Sequence, residues 1–182
     1  MFQQILFFLI TFLIYKYFYR GYYPYLPTLP IYPDNDKEAK LVLDSMKTIT
    51  DEELEVFHKT NHAGVAPMFK PYVEEDMKTL VDMSHKQNST IIFFKRVINR
   101  ARPAQINASI KPINIDTAKT PAYPAGHAYQ AYLLALKLSK KYPDKKDIFY
   151  KLAYQCDIAR VKAGLHYPSD GKFAKWLVHA IN

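Results

Sequence analysis

A chain of 182 residues with 49% apolar side chains is long enough for one compact domain with a hydrophobic core, and this composition excludes a largely disordered protein. Its single cysteine, Cys156, excludes an internal disulfide. The net charge of +8 is uneven: residues 34–90 carry seven basic and twelve acidic side chains, whereas residues 91–182 carry sixteen basic and five acidic ones. The second half therefore predicts an anionic ligand or surface. It contains no recognisable nucleic-acid-binding module, so no nucleic-acid partner is expected.

The chain begins with a strongly hydrophobic segment. Residues 2–15 are nearly all apolar after two glutamines, and the segment approaches the ~20 residues that cross a bilayer if Lys16 snorkels. A cleaved signal peptide is the alternative, but it requires an early basic residue and small residues at a cleavage site. No basic residue precedes Lys16, and the first such small residue is Gly21. We predict that residues 1–19 form an uncleaved, single-pass N-terminal membrane anchor, with the side of the membrane undetermined.

Prolines recur at every third position in the next segment, at Pro24, Pro27, Pro30 and Pro33. This spacing matches the three-residue turn of polyproline II and predicts a stiff, proline-rich stalk over residues 20–35. An extended arm packed against the following domain fits the same spacing.

Residues 36–182 have the apolar periodicity of α-helices, and we predict that they form one domain. Thr50 and Glu53 have the spacing of a capping box at the start of a helix. Further helices are predicted over residues 73–86, 91–99, 127–141, 148–163 and 173–181, with a proline-rich irregular segment before residue 127. No β-hairpin pattern is evident. The predicted fold is all-α, a single helical bundle.

Three segments combine basic residues with a glycine at a predicted helix start: KRVINRARP at 95–103, YPAGH at 123–127 and ARVKAGLHYPSD at 159–170. Lys95, Arg102 and Arg160 together can neutralise a dianionic phosphate, and a guanidinium fork matches two of its oxygens. Gly126 lets the backbone approach a ligand at a helix N-terminus, where the first N–H groups have no partner within the helix. These residue types favour a phosphate site.

Two histidines in the same segments favour catalysis rather than binding alone. His127 and His166 can serve as acid and nucleophile. Asp170 follows His166 by four residues and can hold its imidazole in one tautomer.

In these segments the sequence resembles the type 2 phosphatidic acid phosphatase (PAP2) superfamily, which includes bacterial class A acid phosphatases, lipid phosphate phosphatases and vanadium haloperoxidases. Its signature is K-x6-RP, then PSGH, then SR-x5-H-x3-D. The residues that match it are Lys95, Arg102, Pro103, Pro124, Gly126, His127, Arg160, His166 and Asp170. The resemblance covers residues 95–170, and Ala125 and Ala159 stand where the signature has serine.

The resemblance implies a metal-independent phosphatase with an all-α fold and no cofactor. His166 would attack phosphorus and form a phosphohistidine, oriented by Asp170, while His127 would protonate the leaving group and then activate water. Lys95, Arg102, Gly126 and Arg160 would bind the phosphate oxygens. A phosphorylated small molecule and a lipid phosphate are equally compatible substrates.

Two other functions remain open from the sequence. A vanadate-dependent haloperoxidase uses the same pocket, although such proteins are usually much larger. A catalytically weak, membrane-tethered anion-binding or structural protein is favoured by Ala125 and Ala159. Outside the signature, Asp116 and Lys119 are candidates for the wall of the pocket because they precede its second segment.

Overall fold

The computed structural model of the chain describes residues 2–18, 21–22 and 31–182. In these ranges all regular secondary structure is helical, which confirms the predicted all-α bundle. Its α-helices are α1 (Phe2–Phe18), α2 (Asn35–Met46), α3 (Asp51–Asn61), α4 (Ala66–Phe69), α5 (Met77–His85), α6 (Asn88–Ile98), α7 (Pro103–Ile106), α8 (Gly126–Lys141), α9 (Lys146–Lys162) and α10 (Pro168–Ile181). Two short 3₁₀ turns, Lys70–Tyr72 and Pro143–Lys145, precede α5 and α9.

Helix α8 lies at the centre of the bundle and contacts α5, α6, α9 and α10. Its apolar side chains occur on nearly all sides of the helix, and Ala131, Leu134, Ala135 and Leu138 are completely buried. A helix that is apolar on most faces is stable only when other helices surround it. The central position of α8 fixes its N-terminus, at Gly126, inside one end of the bundle.

Local sequence signals decide where the helices begin. The capping box before α3 forms as predicted, because Glu53 N–H donates to Thr50 Oγ1 and Thr50 N–H donates to the Glu53 carboxylate. The prediction of a helix from residue 73 is wrong over its first turn, because the Asp76 carboxylate caps α5 by accepting from Thr79 N–H. The prediction for α10 is also wrong at its start, since the helix begins at Pro168 rather than residue 173. Proline is well suited to a first helical position.

The N-terminal segment forms α1, whose side chains from Ile5 to Phe12 are mostly exposed. Within the described parts of the chain, no helix combines the length and apolar character needed to cross a bilayer. The anchor over residues 1–19 stays a prediction. Most of the predicted stalk, including Pro24, Pro27 and Pro30, lies outside the described residues.

Candidate active site

The three signature segments meet at one end of the bundle through backbone hydrogen bonds. Asn99 ends α6 in a left-handed conformation with φ of 52°, so the chain turns sharply before Arg100. The Arg100 carbonyl accepts from Ala122 N–H at 2.9 Å, which joins the first segment to the second. Ala125 N–H donates to the Asp170 carbonyl at 3.1 Å, which joins the second to the third. Segments that are far apart in sequence therefore form one site.

A cavity of about 210 Å³ lies between these segments. Four of the seven predicted site residues line it: Lys95, Arg102, Gly126 and His166. The remaining wall is formed by Asn88, Ile91, Ile92, Thr117, Thr120 and Gln130. The cavity thus combines two cations, a helix N-terminus and one imidazole.

Backbone carbonyls hold the two cations in place. Lys95 Nζ donates to the carbonyls of Pro121 and Ala122, at 2.6 and 3.1 Å, and Arg102 Nε donates to the Thr120 carbonyl at 2.9 Å. Burial, together with the nearby Arg102, lowers the pKa of the Lys95 ammonium well below its ordinary value. Burial also lowers the pKa of Arg102 to about 10. A bound anion would oppose both shifts by favouring the charged forms.

The His166 ring lies between the Asp170 carboxylate and the Arg102 guanidinium. Its Nδ1 lies 2.9 Å from Asp170 Oδ2, and its Nε2 lies 2.9 Å from an Arg102 guanidinium nitrogen. Because arginine can only donate, Nε2 must be the acceptor, and the ring proton resides on Nδ1 and is donated to Asp170. This is the tautomer that leaves a lone pair on Nε2, the nitrogen that faces the cavity cations.

The electrostatic surroundings keep His166 neutral. Burial lowers the pKa of His166 well below 6.5, and the cations Arg102 and Lys95 lower it further. Burial raises the pKa of Asp170, and Arg100 is the strongest influence that opposes this rise. A neutral imidazole with a carboxylate at Nδ1 is the form of histidine that acts as a nucleophile or base.

Three predicted residues do not line the cavity: Asp170, which holds His166, and His127 and Arg160, which meet beside it at one carbonyl. His127 Nε2 and an Arg160 guanidinium nitrogen both lie 3.2 Å from the Thr60 carbonyl oxygen, at the C-terminal end of α3. Arg160 also donates to the Asn61 side chain at 2.8 Å. Since a carbonyl only accepts, His127 Nε2 carries a proton, and in the neutral ring Nδ1 is the nitrogen that carries none.

Arg160 is only 1% exposed, and its Nε has no hydrogen-bond partner among the described residues. Burial lowers the pKa of Arg160 to about 10, and the nearby charge of Arg102 contributes to this lowering. The site therefore gathers three buried cations, Lys95, Arg102 and Arg160, and the first two also act on the charge of Asp170. Burying several cations together costs free energy of folding unless an anion pairs with them.

Both alanines that depart from the signature are completely buried. Ala125 occupies the position before α8, with extended backbone angles and no side-chain cap for the helix. Ala159 lies within α9 and belongs to a small core cluster with Phe57. Only Ala125 is placed where a serine hydroxyl would reach the free N–H groups of α8.

We expect the substitution Ala125→Ser to stabilise the protein and to strengthen anion binding. A serine cap should raise the free energy of unfolding by about 0.5–2 kcal/mol. A hydroxyl hydrogen bond to a charged phosphate should add about 1.5–3 kcal/mol, which lowers the inhibition constant for inorganic phosphate about tenfold or more. Thermal unfolding and inhibition by phosphate measure the two effects. The matched control is Ala159→Ser, which adds the same hydroxyl inside a helix and should give neither gain.

A larger groove of about 500 Å³ adjoins the cavity and shares Arg102 and Thr120 with it. Its wall includes Pro112, Ile115 and Leu165, together with Asp116 and Lys119. The two loop residues expected near the pocket therefore line this groove rather than the small cavity. The groove and the small cavity therefore meet at Arg102 and Thr120.

Sequence reasoning missed two side chains that support Asp170, one directly and one through a shared partner. Arg100 lies within the first signature segment and pairs with Asp170 at 2.7 Å. Glu38 on α2 pairs with Arg100 at 2.8 Å. Arg100 could have been suspected from its place between Lys95 and Arg102, whereas no local signal distinguishes Glu38 from other acidic residues of α2.

Comparison with known proteins gives a match in structure only. No protein-family model matches the chain, and no curated protein sequence matches it. The chain is similar to the crystal structure of a transmembrane PAP2-type phosphatidylglycerolphosphate phosphatase from Bacillus subtilis. The TM-score is 0.51 and the identity 17%, covering 80% of this chain and 84% of that one. Similarity at this identity shows a shared fold.

Proposed function

We propose that the protein is a metal-independent phosphatase that hydrolyses phosphomonoesters through a phosphohistidine intermediate. The observation that carries the proposal is the environment of His166. Its Nδ1–H is held by Asp170, and its Nε2 faces Arg102 in a cavity that also contains Lys95. The PAP2-type fold of the chain supports the same class of enzyme.

In the proposed first step, the phosphate displaces the Arg102 hydrogen bond from His166 Nε2 by accepting it instead. The freed lone pair attacks phosphorus, the bond from phosphorus to the ester oxygen breaks, and the leaving oxygen takes up a proton. Lys95, Arg102 and Arg160 stabilise the negative charge on the three equatorial oxygens, helped by the Gly126 N–H. Asp170 stabilises the positive charge that develops on the imidazole.

His127 supplies the proton in this proposal. Its Nε2 is held by the Thr60 carbonyl, so Nδ1 is the nitrogen available to the leaving oxygen. After the alcohol departs, neutral His127 accepts a proton from water as the water attacks phosphorus and releases phosphate from His166. His127 thus acts first as the acid and then as the base, while His166 is the nucleophile.

The adjoining groove favours a phosphate attached to a sizeable apolar group. Pro112, Ile115 and Leu165 provide apolar surface within reach of Arg102, which belongs to both spaces. The structural neighbour acts on a lipid phosphate in a membrane, which supports a lipid phosphate as the substrate class and a membrane-associated protein. The hydrophobic N-terminal segment fits this location.

The test is an assay of the full-length protein, purified in mild detergent, on p-nitrophenyl phosphate with EDTA present. Hydrolysis that persists with EDTA supports a metal-independent phosphatase. Phosphatidate and glycerol 3-phosphate, compared in mixed micelles, separate a lipid substrate from a soluble one. Bromide oxidation with vanadate and peroxide would indicate a haloperoxidase instead. Phosphate binding without either activity would identify a binding protein.

The rate of hydrolysis should depend on pH as a bell with its maximum on the acidic side. His166 must be neutral to attack, and burial and Arg102 lower its pKa well below 6.5, so the acidic limb of the bell lies below that pH. His127 must be protonated to donate, but burial and Arg160 also lower its pKa, so this form is lost as the pH rises. A bound phosphate dianion raises the pKa of His127, so His127 stays protonated, and hydrolysis continues, to a higher pH. Initial rates at saturating substrate measure the profile; a flat rate from about pH 4 to about pH 9 contradicts it.

A further inference from the structure

Arg100 is a buried cation that the proposed chemistry does not use. It is completely buried and does not line the cavity. Its guanidinium donates to Asp170 Oδ1 and Ser169 Oγ at 2.7 Å, to Glu38 Oε2 at 2.8 Å and to Asn35 Oδ1 at 2.9 Å. A buried charge with this many directed partners has a fixed position.

Two aromatic rings and one carboxylate hold the guanidinium plane. Its central carbon lies 4.4 Å from the Tyr32 ring centroid and 3.7 Å from that of Tyr167. Glu38, 7% exposed, accepts from Arg100 and also from the backbone N–H and hydroxyl of Ser169. Glu38 therefore ties α2 to the first turn of α10, where Asp170 lies.

The pairing of Arg100 leaves the Asp170 carboxylate no freedom to turn. Oδ1 accepts from Arg100, and Oδ2 accepts from His166 Nδ1 at 2.9 Å and from Tyr167 N–H at 3.0 Å. If Arg100 were absent, Oδ1 would lose its donor in a site that is 0% exposed. The carboxylate could then rotate or bind a proton, and in either case His166 could change tautomer.

Building on the proposed function, we propose that Arg100 and Glu38 are positioning residues that clamp Asp170. The clamp fixes the Oδ2 atom against His166 Nδ1 and so keeps Nε2 unprotonated and aimed into the cavity. Other charges also act on Asp170, namely Lys95 and Arg102, which favour its ionised form, and Asp157, which is a like charge nearby. Among the charged side chains in the described ranges that act on Asp170, Arg100 is the one that donates a hydrogen bond to it.

The test is Arg100→Gln, with Arg100→Lys as the conservative variant. We expect kcat to fall about 100-fold in Arg100→Gln, the usual effect of a small misplacement of a reacting group, while KM changes less than about threefold because Arg100 does not touch the cavity. Arg100→Lys keeps the positive charge but not the forked guanidinium, and its kcat should fall less than that of Arg100→Gln. Imidazole ¹⁵N NMR should show His166 moving toward the Nε2–H tautomer. The control is Lys162→Gln, which breaks a peripheral ion pair with Glu53 and should change neither kcat nor the tautomer of His166.

A second pair of variants covers a failure of Arg100→Gln to fold. Glu38→Ala removes the anchor of the guanidinium and should lower kcat and shift the tautomer, whereas Glu38→Gln keeps an acceptor and should lose less. A folded variant of either series with unchanged kcat and unchanged His166 tautomer overturns the clamp. If the unmutated protein shows no phosphatase activity, the proposed function fails, while the tautomer of His166 still decides whether the clamp exists.

Discussion

Replacing His166 by asparagine is expected to lower kcat for phosphomonoester hydrolysis by about 10⁴-fold or more. The substitution removes the proposed nucleophile, and loss of a catalytic histidine in a hydrolase has effects of this size. The asparagine amide can still donate to Asp170 Oδ2, which normally accepts from Nδ1, so the fold should be retained. Steady-state kinetics on p-nitrophenyl phosphate, with thermal unfolding alongside, give the measurement.

The matched control is His179→Asn, since His179 is an exposed histidine of α10 that stacks on Tyr150 and does not line the cavity. Its kcat should be unchanged. Rapid quenching of the unmutated protein with a radiolabelled substrate should trap an acid-labile phosphoprotein that His166→Asn cannot form. If His166→Asn keeps more than about a tenth of the activity, His166 is not the nucleophile and the phosphohistidine mechanism is wrong.

The substitution Asp170→Asn is expected to lower kcat by about 10⁴-fold with little change in KM. Oδ1 and Oδ2 of Asp170 both accept hydrogen bonds, from Arg100 on one side and from His166 and Tyr167 on the other. The amide of asparagine must point its NH₂ group at one of these donors. If the NH₂ group faces His166, Nδ1 has to accept from it, and the ring proton of His166 moves to Nε2. The same exchange of carboxylate for amide in a serine-protease triad produces the wrong tautomer and a loss of this size.

Asp170→Asn should also lower the free energy of unfolding by about 3 kcal/mol, because it removes the charge of a buried ion pair. The loss stays at the lower end of the usual range since Glu38 still pairs with Arg100. Kinetics corrected for the folded fraction separate the two effects. Asp144→Asn, at an exposed position before α9, is the control and should alter neither. Retention of kcat in folded Asp170→Asn would show that His166 needs no carboxylate partner.

The fold was largely predictable because its signals are local. Apolar spacing indicated the helices, and the hydroxyl and carboxylate of Thr50 and Glu53 marked one helix start by hydrogen bonds within four residues. The boundaries that were wrong have equally local causes. The Asp76 side chain caps α5, so this helix begins after Asp76 and not at residue 73. Pro168 begins α10, although prolines elsewhere in the chain interrupt helices.

The candidate site was predictable in its members but not in its arrangement. His166 and Asp170 are four residues apart, and this short spacing brings the imidazole to the carboxylate across the start of α10. For Lys95 and Arg102 the sequence indicated only that cations are available. Their common cavity depends on the packing of α6 and the following loop against α8 and the α9–α10 turn.

By itself, the sequence determined which helices form and which cations, histidines and carboxylate are available for chemistry, because propensity, capping and residue type act over a few positions. Only the tertiary structure decided that Glu38 and the Thr60 carbonyl reach the site, since Glu38 lies 62 residues before Arg100 and Thr60 lies 67 residues before His127. Burial then decided the charge states and tautomers of His166 and His127, because the cost of a charge depends on the water and the partners that packing leaves to it.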